Sequence, residues 1–224
     1  MRTIRMLTVV FDLELGTEKV QAFRGAIVEK VGRENTLFHN HLEDSGLRYK
    51  YPSIQYKLVN HKAAIFCVGD GIDEIHNLFA QPQWNINIHG KRVVLSIYEL
   101  NLKNFNLSVH DKPLFKYKLK NWLGLNQNNY NVYNNLDSAA ERLVFLEKIL
   151  VGNILSFARG IDWQIDQQVV VNVQEILKTS KLSYKGTPLK AFDLEFRSNV
   201  DLPNFMGLGK SASHGYGVVE KMKN

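Results

Sequence analysis

From Thr3 to Leu15 the chain reads TIRMLTVVFDLEL, and its second half sets Val9, Phe11, Leu13 and Leu15 against mostly polar neighbours. A period of two among β-branched and aromatic residues predicts a strand. Gly16 interrupts the pattern, Thr17 is placed to cap a helix, and Val20, Phe23, Ile27 and Val31 recur at spacings of three and four up to Gly32. That spacing predicts the first helix. Two short β-rich runs follow, Tyr49 to Asn60 and Lys62 to Gly69, joined at Asn60-His61 as a hairpin turn. Ile72, Ile75, Leu78 and Phe79 give a short helical face, and Arg92 to Leu102 returns to strand character. The order is β-α-β-β-α-β.

The second half repeats the theme. Leu114 to Leu123 puts Phe115, Tyr117 and Leu119 on one face and Lys116, Lys118 and Lys120 on the other. Asn126 to Asn135 holds six asparagines, a composition that suits a loop. A long helix is predicted from about Asp137, striped by Leu143, Leu146, Ile149, Leu150 and Ile154, with Ser138 and Glu141 spaced as a capping box. Gln168 to Leu177 and Leu189 to Arg197 pair as a hairpin across a Lys-rich connection, and Gly217 to Met222 reads as a last edge strand. A glycine-rich segment stands where a second helix is expected. The expectation is therefore an α+β chain of two tandem ferredoxin-like (RRM-like) βαββαβ domains, residues 1–106 and 107–224. In the second, a glycine-rich loop replaces or shortens the last helix.

Composition narrows the function. The 224 residues are 45% apolar and 22% charged, which fits folded domains and excludes a disordered chain. No run approaches the ~20 apolar residues of a membrane span, and the first residues lack a signal-peptide core, so a soluble, cytoplasmic protein with no membrane partner is expected. Cys67 is the single cysteine and sits in an apolar stretch. An internal disulfide or a cysteine-based zinc site is thereby excluded, and packing is its expected role. The net charge of +6 and a pI near 9.3 are compatible with a polyanionic partner such as a nucleic acid.

Two clusters carry candidate chemistry. Gly207-Leu208-Gly209-Lys210-Ser211-Ala212-Ser213-His214-Gly215-Tyr216-Gly217 places four glycines as two G-x-G pairs. Glycines admit positive φ and bring N–H groups close to an anion, while Lys210, Ser211, Ser213 and His214 add donors, so a phosphate backbone would fit. The spacing matches neither the dinucleotide fingerprint nor a Walker loop. The second cluster follows the first helix: His39 and His41, then Arg48, Tyr49, Lys50 and Tyr51. Two histidines can share the protons of an in-line attack by an RNA 2′-hydroxyl without metal or cofactor, with Lys30 and Tyr49 assisting. His-x-His can also ligate zinc, but a third ligand from Glu43, Asp44 or a remote residue has no recognisable spacing. His61, His76, His89 and His110 stand alone and read as structural or exposed. Basic residues interleave with aromatics at Arg48 to Tyr51, at Lys116-Tyr117-Lys118 and around Lys178, Lys181, Tyr184 and Lys185, the composition that grips looped RNA.

Tandem ferredoxin-like units, a His-bearing loop after the first helix and two C-terminal G-x-G pairs together resemble the CRISPR-associated repeat-RNA endoribonucleases, the Cas six family. Lys30, His39, His41 and the Tyr-rich stretch Lys50 to Lys57 look most like its b subtype. The resemblance implies metal-independent cleavage of CRISPR repeat RNA in precursor transcripts, leaving 5′-hydroxyl and 2′,3′-cyclic phosphate ends. It implies one of His39 and His41 as general acid and the other as base or positioner, Lys30 as a charge stabiliser and Tyr49 as an assisting group. Arg48, Lys50 and the loop from Gly207 to Gly217 would hold RNA, and the Lys178 to Lys190 hairpin would enter a groove of the repeat. Partners would be repeat RNA, other CRISPR-associated effector subunits and a second copy of the chain. The alternatives are a non-catalytic RNA-binding subunit of a CRISPR ribonucleoprotein and a metal-dependent hydrolase.

Overall fold

The structure, a computed structural model, describes residues 2–39, 51–184 and 187–223. It is a mixed α+β chain that divides into two compact units. One comprises Thr3–Asn106 with Ser213–Gly215; the other comprises Met1–Arg2, Leu107–Ala212 and Tyr216–Asn224.

The N-terminal unit is built on the sheet β2-β3-β1-β6, from β1 (Arg2–Glu14), β2 (Ile54–Val59), β3 (Lys62–Val68) and β6 (Ile97–Leu107). That is the strand order of the ferredoxin-like fold. The alternation in β1 works as expected: Leu7, Val9 and Phe11 enter the core and meet Phe23 and Ile27 of α1 (Val20–Val31) and Ile54, Tyr56, Ile65 and Cys67 of the hairpin. Phe23 is the centre of this packing, with ring centroids 5.8 Å from Phe11 and 5.9 Å from Tyr56. Asn60 and His61 both take positive φ, 49° and 64°, which makes the tight two-residue turn between β2 and β3.

Three local expectations are corrected. Thr17 begins a 3₁₀ turn, Thr17–Lys19, and its side chain does not cap α1. The second helical face is split into α2 (Asp70–Glu74) and α3 (His76–Phe79). The strand expected from Arg92 to Leu102 belongs to two elements. Its start lies in β5 (Lys91–Val94), which pairs with β4 (Asn85–Ile88) as a separate hairpin, and the remainder lies in β6. β6 is an edge strand, and Ile97, Tyr98, Leu100 and Leu102 on it are 41%, 63%, 51% and 60% exposed.

The opposite face of β2 and β3 carries Gln55, Lys57, Ala64 and Phe66, all buried. Lys57 donates to Gln55 Oε1 at 2.8 Å, with its ammonium 4.7 Å from the Phe66 ring centroid, and burial pulls its pKa down to about 7.

The C-terminal unit repeats the strand order with β10-β7-β9-β8, from β7 (Phe115–Trp122), β8 (Val171–Tyr184), β9 (Thr187–Ser198) and β10 (Val218–Lys221). Its long helix α5 (Ala139–Gly160) starts at the capping box read from the sequence: Ser138 Oγ accepts from the Glu141 N–H at 3.1 Å, and Glu141 accepts from the Ser138 N–H at 3.0 Å. Between β9 and β10 the described chain holds only a 3₁₀ turn, Ala212–His214, so the glycine-rich segment does replace the second helix.

The asparagine-rich stretch is not a loop. It forms α4 (Gln127–Asn134), because Asn126 Oδ1 accepts the Asn129 N–H at 2.8 Å and Tyr133 buries its ring edge-on against Phe192. The β8–β9 hairpin is also longer than expected, and Lys178 and Lys181 lie exposed within β8 rather than in a connection. No helix among the described residues is long and apolar enough to cross a membrane.

Candidate functional site

The described part of the His loop is pinned to the end of α1 by several bonds. Phe38 is buried in the core, and its carbonyl accepts from the phenol of Tyr56 at 3.0 Å. Tyr56 is itself buried, and that burial raises its pKa, so it remains a phenol donor. The next carbonyl, that of His39, accepts from Arg24 Nη2 at 2.6 Å, while the His39 N–H closes the 3₁₀ turn on Thr36. The backbone at Phe38 and His39 is thus held from two elements, β2 through Tyr56 and α1 through Arg24.

Its ring is oriented as well. His39 Nε2 lies 2.7 Å from the carbonyl oxygen of Arg33, the second residue after α1 ends. A carbonyl can only accept, so Nε2 is the donor in this contact and the ring is held in one orientation. Lys30 lies in the last turn of α1, where a cation also complements the helix dipole. His41, Arg48, Tyr49 and Lys50 fall outside the described residues. Among the described residues no group of three or more His, Cys, Asp or Glu side chains is gathered as a metal site would need.

In the glycine-rich loop, close packing accounts for much of the glycine content. A Cβ on Gly217, at φ 62°, would lie 1.9 Å from the carbonyl oxygen of Leu208, and the two residues are bonded by Leu208 N–H to Gly217 O at 2.8 Å. A Cβ on Gly209 would meet the Trp122 indole nitrogen at 2.6 Å, the group that donates to Asn153. The N–H groups of Leu208, Lys210 and Gly217 all donate to backbone carbonyls, so these three amides are already engaged. Gly207 and Gly215 are buried, Tyr216 packs with Leu123 and Ala191, and buried Ser213 lies 3.0 Å from His214 Nδ1 through its hydroxyl. Lys210 is exposed, and Ser211, at φ 61°, and His214 are half-buried.

Elsewhere the basic–aromatic patches separate. Tyr117 is fully buried, donating to the Val200 carbonyl at 3.0 Å and accepting from the Leu202 N–H at 2.8 Å, while Lys116 pairs with Glu195 at 3.0 Å. That ring is core and is not presented for stacking. Lys190 bonds Asn134 at 2.8 Å and lies over the rings of Tyr130 and Tyr133. Sequence reasoning missed Arg24 and Tyr56, whose part in holding the His loop depends on contacts across the fold.

The sequence profile of the Cas6b N-terminal domain matches residues 2–106, and that of the Cas6b C-terminal domain matches residues 109–222. A solved structure described as Cas6b superposes with a TM-score of 0.88 at 26% identity, covering 99% of this chain and all of that one. A second, described as the CRISPR RNA processing endoribonuclease Cas6b, has a TM-score of 0.75 at 24% identity over the same shares and supports the fold. An uncharacterized protein of Methanocaldococcus jannaschii is 32% identical over 141 residues, 62% of this chain and 92% of that protein.

Proposed function

The chain belongs to the Cas6b family, and from that footing we propose that it is a CRISPR-RNA-processing endoribonuclease that cuts repeat RNA by internal 2′-hydroxyl attack. The observation that carries the chemistry is the ring of His39. Its Nε2–H is bonded to the Arg33 carbonyl on a backbone held by Arg24, so an imidazole able to exchange a proton near neutral pH is held in one orientation beside the end of α1.

In the reaction the 2′-oxygen bonds to the adjacent phosphorus as its proton passes to a base, and the bond from phosphorus to the 5′-oxygen breaks as that oxygen takes a proton from an acid. His39 and His41 share these two roles, Lys30 neutralises charge on the phosphate oxygens and Tyr49 assists. The products are a 2′,3′-cyclic phosphate and a 5′-hydroxyl, and no metal or cofactor takes part. Exposed Lys210, with half-buried Ser211 and His214, contributes donors to the RNA backbone, as do Arg48 and Lys50; buried Ser213, Gly207, Gly215, Tyr216 and Gly217, with Gly209, support that loop from beneath.

A second copy of the chain is a further partner, docked along β6. Among the described residues the outer edge of β6 pairs with no other strand, and it is self-complementary: an antiparallel pairing centred on Asn101 sets Glu99 opposite Lys103 of the other copy and Leu100 opposite its Leu102.

The test is incubation with the repeat RNA of the source genome in excess EDTA, beside the same RNA carrying a 2′-deoxy residue at the cut. Cleavage of the first only, lost by ~10²–10⁴-fold in His39→Ala, is the expected result. Binding without cleavage would support the RNA-holding reading.

A further inference from the structure

In the N-terminal unit, α1 and the β4–β5 hairpin form a cleft of about 400 Å³, lined by Glu29, Lys30, Gln83, Asn85, Asn87 and Arg92. The apolar residues at it, Ala26 and Ile86, are buried. Its size falls within the ~300–1,000 Å³ of sites that enclose one small molecule.

The hairpin is a fixed support. In the sequence Asn85-Ile86-Asn87-Ile88 the two isoleucines point into the core, and the two asparagines therefore share the opposite face. Asn87 pairs in register with Arg92 across the hairpin, which adds the guanidinium to the same face. The turn between the strands, His89-Gly90, takes positive φ at both residues, 50° and 79°, as a tight two-residue connection requires.

The lining chemistry discriminates among ligands. A phosphate presents acceptors only, and it would be served by Lys30 and Arg92 but repelled by Glu29 and left cold by the carboxamide oxygens. Three carboxamides offer donors and acceptors together, Glu29 accepts and the two cations donate, which is the mixed pattern that reads the edge of a nucleobase. Lys30 is also the residue placed on the phosphate charge in the reading above.

We propose that this cleft is a base-recognition subsite that takes one unpaired base of the RNA, with the adjoining phosphate at Lys30. The inference rests on the RNA-processing reading and adds to it a determinant of sequence preference. Unpaired bases are accessible on their edges in this way, whereas paired RNA hides them in a deep groove.

The experiment measures the affinity of the full chain and of Asn85→Ala/Asn87→Ala for the repeat RNA made uncleavable by a 2′-deoxy residue, with one abasic nucleotide introduced at each position in turn. At one position the abasic change should weaken wild-type binding about tenfold or more and weaken the variant less than about twofold. Equal losses in the two proteins at every position would overturn the proposal. So would a uniform weakening with a shallower salt dependence, which would make the cleft a phosphate contact. Because a double change can disturb the hairpin, exposed Asn87→Ala is measured alongside, and the same coupling at the same position is required of it. Cleavage of unmodified RNA by the wild type is scored separately. Coupling without cleavage would retire the nuclease reading and keep the subsite, and cleavage without coupling would do the reverse.

Discussion

Arg24 donates through Nη2 to the carbonyl oxygen of His39 at 2.6 Å, fixing a backbone that the next described contact, Nε2 to Arg33, orients at the ring. Removing the clamp should spoil the chemistry before it spoils RNA binding. Arg24→Met is expected to lower the single-turnover cleavage rate by roughly tenfold, with RNA affinity changed less than about twofold. An affinity loss as large as the rate loss would make Arg24 an RNA contact instead.

Gly217 has no space for a side chain, since its Cβ would lie 1.9 Å from the Leu208 carbonyl oxygen, whereas Gly90, at φ 79°, faces nothing within 4 Å. Gly217→Ala should therefore cost roughly 3–5 kcal/mol, and Gly90→Ala about 1 kcal/mol for backbone strain alone. Urea unfolding of the two variants measures this, and similar midpoints would refute the packing role.

Lys57 titrates at about 7 in the fold and near ~10.4 in an unfolded chain. Between those values the unfolded state binds more protons, so this lysine makes stability rise with pH, and below pH 7 the full cost of burying the charge is present. Lys57→Met is expected to be more stable than wild type at pH 7, with the gap closing by on the order of 1 kcal/mol per pH unit up to pH 9. Parallel stability curves over that window would show that the ammonium is not what the fold resists.

The self-complementary edge of β6 predicts a dimer sensitive to charge order. Glu99→Lys should set like charges opposite one another and shift sedimentation toward monomer, and Glu99→Lys/Lys103→Glu should restore the dimer. A single species unchanged across all three proteins would remove β6 from the interface.

Elements with a strong apolar period were legible in the sequence, and those held by remote partners were not. The stripe of α5 and its Ser138/Glu141 cap are local signals, and both are realised. The Asn-rich α4 has poor intrinsic propensity, and what favours it is the burial of Tyr133 on Phe192, a residue far along the chain. The outer half of β8 reads as a polar connection because its pairing with β9 supplies what alternation does not. His39 was visible by residue type alone, while Arg24 and Tyr56 gain their roles only when α1 and β2 are brought beside the loop. Tyr117 shows the reverse error: the alternation put it on an apolar face, and its neighbouring lysines suggested an RNA platform that the buried ring does not provide.

Ser213–Gly215 belong to the same compact unit as Thr3–Asn106, and Gly215 sits so close to Val20 that an added Cβ would be 3.0 Å from it. On the ribosome, the start of α1 therefore waits for a piece of chain made only after β7, α5, β8 and β9 have been synthesised. Contacts closed over such a sequence separation form late, and a nascent N-terminal unit remains unfinished for most of translation. Cutting the chain after Asn106 would leave that unit without part of its own packing.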